Sequence, residues 1–328
     1  MNVDAPSASS DAEAAAGTST AGATWPATVW KSAAAFFVGL LSAYFLGPQL
    51  VAAAANWPLA ASPKWPWFVV LCAASVATHV AGAVTLTGST IRPLGFMTNV
   101  EVQFAVSFTN RLAPAGLGGM ATVARYLRRR GADPGEVTAA LALQSAAGFI
   151  IHAVATTAVL AAVSPQLLTR WRPPAYMLAI GAAVIAAALT AALAVANSQG
   201  RHWISAGVAG LREVLADRRR AVLLFAGAMG VTGFYSLALT ASFYAFHVHI
   251  AVLSALAVFL AASVIAAGSP TPGGLGAAEA ALVSAAAALV GQAPRVLEAV
   301  LAYRLVTYWI PSIPGVAALA HLRRRHIL

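Results

Sequence analysis

The sequence predicts an all-α polytopic membrane protein made of two inverted repeats. Six full spans and two re-entrant helical hairpins are expected, or eight spans if the hairpin arms cross completely. Three observations predict this. The 328 residues are 60% hydrophobic and 9% charged, with a mean hydropathy of +0.77, whereas a soluble domain carries roughly 25% charged residues. Apolar runs long enough to cross a bilayer alternate with short basic or aromatic segments. Finally, proline and glycine interrupt two apolar tracts, at 113–119 and 269–276. Such residues make a poor straight helix, but they suit a chain that enters the hydrocarbon and turns back against protein or a watery cavity.

Taken in order, residues 1–24 are Ala, Ser, Thr and Gly with Asp4, Asp11 and Glu13, and read as a disordered tail and not a signal peptide. Residues 25–320 then form a single transmembrane domain. Trp25, Trp30 and Lys31 mark an interface before a first span at 33–55, and Trp57, Lys64, Trp65 and Trp67 mark another before a second span at 68–86. A less apolar arm, 99–112, carries Glu101, Gln103, Asn110 and Arg111 into the first break. A short arm then leads to Arg128, Arg129 and Arg130, followed by spans at 137–163 and 176–196. Ile204, Val208, Leu211 and Leu215 recur at helical spacing opposite Arg212, Glu213, Asp217 and Arg218 to Arg220, which predicts an amphipathic helix over 201–220 lying in the interface. A span at 221–246 precedes the apolar arms 251–267 and 280–290, which flank the second break. The last span, 296–319, contains Glu298, Arg304, Pro311 and Pro314, and residues 321–328 form a basic tail.

An internal repeat supports the two-fold plan. Gly131-x-x-Pro134 and Gly291-x-x-Pro294 match at an offset of 160, as do the two glycine-rich breaks to within a few residues. Repeat one covers about 30–163 and repeat two about 175–320. Three spans per half is odd, so the second half is inverted, an arrangement found in transporters. Charge agrees: with both termini cytoplasmic, the inner segments hold fourteen Lys or Arg and the outer segments four (Lys64, Arg170, Arg172 and Arg295). Basic residues confined to short clusters between apolar runs argue against a nucleic-acid partner. The single Cys72 excludes an internal disulfide.

Two stretches resemble one family. Asn110-Arg111-Leu112-x-Pro114-x-Gly116-x-Gly118-Gly119, followed by Arg125 and Gly131, is similar to its first signature. Pro272-Gly273-Gly274-Leu275-Gly276-x-x-Glu279, followed by Gly291 and Tyr303-Arg304, is similar to its second. The family is the lysylphosphatidylglycerol synthase transmembrane region, a flippase-like integral membrane domain, and the resemblance covers roughly 30–320. It implies lipid translocation in the cell membrane. The soluble aminoacyl-transferase domain of the best-known members has no counterpart in these residues, so no synthase activity is carried over.

Against that background Arg111 and Arg304 are the foremost candidates, because guanidinium matches phosphate oxygens in a planar fork. The alternative is that each is locked to Glu279, Glu298 or Glu101, as intramembrane charges often are. Glu279 reads as an arginine partner, a proton-coupling site or a helix N-terminal charge. The hairpins around Pro114, Gly116, Gly118 and Gly119 and around Pro272, Gly273, Gly274 and Gly276 would be gates, with Asn110 and Arg125 beside the headgroup. Gln144, Tyr235 and Tyr303 are candidate cavity-lining residues. His247-x-His249 has no acidic or cysteine neighbour in the sequence and reads as an interfacial loop. No metal, cofactor or nucleotide site is expected. The expected function is translocation of an anionic phospholipid or lipid-linked headgroup, and not catalysis. A non-transporting scaffold for a lipid-modifying synthase or glycosyltransferase is the alternative.

Overall fold

The computed structural model describes residues 63–113, 116–162, 212–214, 216–269, 271–291 and 293–328. The expected tail, the spans at 33–55 and 176–196, Pro114 and most of the 201–220 segment lie outside the described residues. The elements are helical: α1 Trp65–Gly88, α2 Phe96–Thr109, α3 Leu117–Arg129, α4 Pro134–Ala162, α5 Arg218–Ala245, α6 Val252–Gly268, α7 Ala277–Val290, α8 Ala293–Arg304 and α9 Ser312–Arg324. Among the described residues four helices are long and apolar enough to cross a membrane: α1, α4, α5 and the continuous rod Pro294–Arg324. The chain is therefore an integral membrane protein, and α6 and α7 add shorter apolar helices.

Two boundaries differ from the sequence expectation, for local reasons. The fifth span begins at Arg218, so the three arginines assigned to an interfacial helix form the first turn of α5. Asp217 sets this start, because its carboxylate accepts the free N–H groups of Arg219 and Arg220. The last span runs on to Arg324. Pro314 falls in the first turn of α9, where a missing N–H removes no helical bond. The start of α4 is a reciprocal cap: Asp133 Oδ1 accepts the Glu136 N–H at 2.9 Å, and Glu136 Oε2 accepts the Asp133 N–H at 3.0 Å.

The antiparallel pair α1 and α5 forms the spine. Lys64 N–H donates to Ala245 carbonyl at one end, and Arg220 Nη1 donates to Thr90 carbonyl at the other. Between these points the backbones almost touch. A Cβ on Gly88 would lie 2.3 Å from Leu224 N, and one on Gly227 would lie 2.4 Å from Thr85 N, so small residues set the separation of these helices. The Thr90 end also gathers Arg92, which pairs with Glu136 at 2.7 Å and reaches the Arg130 carbonyl. His247 and His249 sit at the Lys64 end, beside Trp67 and Tyr244. No group of three potential metal ligands occurs among the described residues.

A small buried cluster joins α4 to α5 through Leu143, Ala147, Leu224 and Ala228, and two larger ones hold the hairpins. One joins α1, α5, α6, α7 and α8 through Leu71, Phe243, Val258, Leu282 and Val300. The other joins α2, α3, α4 and α9 through Val102, Tyr126, Leu127, Val137 and Leu322. Each contains a helical hairpin, α6–α7 in the first and α2–α3 in the second.

Candidate functional site

The first hairpin turns where α2 ends. A Cβ on Gly118 would lie 1.9 Å from the Thr109 carbonyl oxygen, so only glycine lets α3 return this close. Asn110 caps the turn, its Oδ1 accepting the Gly119 N–H at 2.6 Å, and Thr122 Oγ1 donates to Thr109 Oγ1 at 2.9 Å. Asn110 therefore holds the hairpin together. Arg111, the next residue, projects from this turn.

In the second hairpin, Thr271 Oγ1 donates to Leu275 carbonyl at 2.9 Å, and a short tight turn, Pro272–Gly274, carries Gly273 at φ +63°. Glu279 occupies the first turn of α7. Its Oε2 accepts the Gly276 N–H at 2.7 Å, and its Oε1 accepts from Arg304 Nε at 2.5 Å. Arg304 Nη2 also donates to Gly273 carbonyl at 3.2 Å. The side chains of Arg304 and Glu279 are only 12% and 8% exposed. Glu279 thus serves as helix-terminal charge and arginine partner at once, two readings that were alternatives in the sequence.

Directly after Arg304 the rod is underwound into one wide turn, Leu305–Trp309, in which Ile310 N–H donates to Leu305 carbonyl five residues back at 2.9 Å. Such π-turns recur at functional sites. Ser75 Oγ on α1 donates to the Val306 carbonyl within it at 2.8 Å. Tyr308 projects from this turn between the two hairpin tips. A Cβ on Gly273 would lie 2.2 Å from its hydroxyl oxygen, so the second tip packs flush against the phenol. The guanidinium carbons of Arg111 and Arg304 lie 4.1 and 4.3 Å from its ring centroid, a cation–π distance.

The two cationic carbons are consequently no more than 8.4 Å apart, the sum of those distances. At an effective dielectric of about 20, their repulsion is about 2 kcal/mol or more. Glu279 neutralises Arg304. Among the described residues Arg111 has no carboxylate partner: Glu101 on α2 pairs with His321, and Glu298 makes no ion pair. Its Nε is buried without a hydrogen-bond partner there. Among the described residues the centre therefore holds one compensated and one uncompensated guanidinium, a net charge of +1, between two hairpin tips. Such an arrangement can take up an anion, since an arginine fork matches phosphate or carboxylate oxygens.

Other sequence candidates are placed elsewhere. Arg125 is exposed on α3, about 9 Å along the helix from Gly119, and is not brought to Arg111. Gln144 donates to Ala140 carbonyl within its own helix. Tyr235 stacks on Phe259, and Tyr303 is buried in the first cluster. The sequence reading missed Tyr308, whose one signal was its position four residues after Arg304 in a proline-bearing helix. It also missed His79, which is buried on α1, stacks on Phe104 of α2 at 4.4 Å and contacts the Ser75 carbonyl through Nδ1 at 3.0 Å.

Fold and site together define a polytopic helical membrane protein with a charged centre between two broken-helix hairpins. Residues 23–315 match a family model described as the lysylphosphatidylglycerol synthase TM region, and the chain belongs to that family. A comparison with curated proteins finds no match.

Proposed function

We propose that this protein translocates an anionic phospholipid or lipid-linked headgroup between leaflets of the cell membrane. It does so as a transporter and not as an enzyme, and without a cofactor. The observation that carries this reading is Arg111, a guanidinium whose buried Nε has no partner among the described residues, in a centre whose other arginine is already neutralised. An unsatisfied intramembrane donor is costly, and a passing phosphate would satisfy it transiently. In this reading both hairpins are re-entrant and belong to inverted halves, with the termini cytoplasmic. The tips around Gly116–Gly119 and Gly273–Gly276 gate opposite sides, and Tyr308 separates them. Family membership supports a connection to lipids.

The test is lipid movement in liposomes containing the purified protein, read by dithionite quenching of fluorescent phosphatidylglycerol and phosphatidylcholine. Wild type should move phosphatidylglycerol faster than phosphatidylcholine. Arg111→Gln should slow phosphatidylglycerol at least about tenfold, equivalent to about 1.4 kcal/mol of barrier, and Arg111→Lys should retain part of the rate. A folded Arg111→Gln protein with the wild-type rate would sink the assignment of Arg111. No movement of any lipid, with or without a proton gradient, would favour a scaffold for a lipid-modifying enzyme.

A further inference from the structure

A second feature concerns the outer surface, where α2 meets α9. The two helices meet closely at Gly315, where an added Cβ would lie 2.5 Å from the Phe104 carbonyl oxygen. Ser107 Oγ also donates to the Pro311 carbonyl at 3.2 Å. Beside this contact α9 presents only Pro314, Ala317 and Ala318, while α2 presents Met97, Val100 and Phe104. Small side chains facing large ones leave an open groove of about 430 Å³. Its lining is apolar except where Glu101 and His321 bridge the two helices. One turn further along the same face of α9 are Arg324 and Arg325, exposed and without ion-pair partners among the described residues.

We propose that this groove binds one acyl chain of a phospholipid, with the lipid phosphate held at its mouth by Arg324 and Arg325. Two observations select this occupant. The first is length. From Arg324 to Pro314 is ten residues, about 15 Å of helix, which is half of a hydrocarbon core of about 30 Å. The groove with its mouth is thus one leaflet deep. The second is the order of chemistry along α9: Arg325 and Arg324 at the mouth, then His321, then only Ala318, Ala317 and Pro314. A phospholipid presents the matching order of phosphate, glycerol ester and hydrocarbon. Phe104, at the deep end, lies seven residues before Arg111, about 10 Å along α2. A lipid seated here would therefore have its tail beside the hairpin that carries the central guanidinium. The inference deepens the transport reading but needs only binding to be true.

The experiment uses the full chain in nanodiscs. One probe is a phosphatidylglycerol with a diazirine midway along one acyl chain, and the other is a diacylglycerol carrying the same chain. Photo-adducts are mapped by peptide mass spectrometry. Phosphatidylglycerol adducts should concentrate on the α2 and α9 segments around Met97, Phe104 and Pro314. Ala317→Trp should fill the groove and reduce those adducts at least fivefold, while adducts on the exposed face of α4 at Phe149 and Val154 stay constant. Ala317→Leu is the milder variant should the tryptophan prevent folding. The double change Arg324→Gln and Arg325→Gln should reduce labelling by phosphatidylglycerol but not by diacylglycerol. Groove adducts no denser than those on α4, or unmoved by filling position 317, would overturn the proposal. Equal sensitivity of both probes to the arginine changes would overturn its phosphate half. Labelling is read without transport, so a protein that labels as expected and moves no lipid would reject the transport reading alone.

Discussion

The Glu279–Arg304 pair makes a quantitative prediction. Both side chains are almost wholly buried and lie 2.5 Å apart. Removing one partner leaves a charge buried without its counterion, a loss of about 3–5 kcal/mol. Glu279→Gln keeps an oxygen for the Gly276 N–H but strips Arg304 of its counter-charge. Arg304 is then left as a second unpaired guanidinium beside Arg111, so the repulsion of about 2 kcal/mol between them goes uncompensated. Arg304→Met leaves the carboxylate with only its backbone donor. The double variant removes both charges and should cost less than the two single losses combined, with a coupling energy of about 2–3 kcal/mol. Intramembrane hydrogen bonds average only about 0.6 kcal/mol by the same method, so the two cases are separable. The assay is equilibrium unfolding in mixed micelles of rising dodecyl sulfate fraction, followed by far-ultraviolet circular dichroism. Additive single losses, with coupling under about 0.5 kcal/mol, would refute the claim that this pair is a desolvated unit.

Three further outcomes follow from other contacts. Gly118→Ala would press a methyl group against the Thr109 carbonyl and should destabilise the first hairpin by about 1–3 kcal/mol, seen as faster hydrogen exchange confined to α2 and α3. Ser75→Ala leaves the Val306 carbonyl of the wide turn without its donor and should cost about 1–3 kcal/mol in the same micelle assay; no loss would mean that the turn does not depend on α1. Asp217 provides the pH case. The hydrogen bond from Arg220 holds its carboxyl below the usual carboxylate range, aided by the N–H groups of Arg220 and Arg219. A depressed folded-state pKa means that the contribution is complete above the unfolded carboxylate value, near 3.9. It is lost as pH falls through the folded value. Helix fraying at the start of α5, read by hydrogen exchange at Arg219 and Arg220, should therefore increase only below about pH 4. Asp217→Asn should abolish that acid dependence.

Much of the fold was legible because the bilayer limits the possibilities. Apolar length located α1, α4 and α5 to within a few residues, and proline with glycine marked both hairpin turns. Glu279 and Arg304 were legible as rare charges in apolar tracts, although their pairing was only one of several combinations. What stayed hidden depends on contacts between distant segments. Asn110 read as a headgroup ligand, but its oxygen is occupied by the Gly119 N–H across a turn. Arg125 shares a signature with Arg111 yet faces outward, because α3 buries the opposite side through Val123, Tyr126 and Leu127. Tyr308 gave no signal in composition, since one more aromatic residue in an apolar run is ordinary.

The wide turn at Leu305–Trp309 has a consequence for how this rod can vary. One additional residue in a turn rotates everything beyond it by about 100° relative to an unbroken α-helix. The face bearing Arg304 and the face bearing Ala317 and His321 are therefore set in separate phases. Closing the turn to ordinary α winding without removing a residue would swing the whole outer groove to another azimuth while leaving Glu279 and Arg304 in place, whereas deleting one residue among 305–309 would close it with the azimuth kept. Substitutions along α9 can accordingly retune the surface that meets lipid without disturbing the ion pair. The rod behaves as two inheritable modules on one axis, with the turn as their joint.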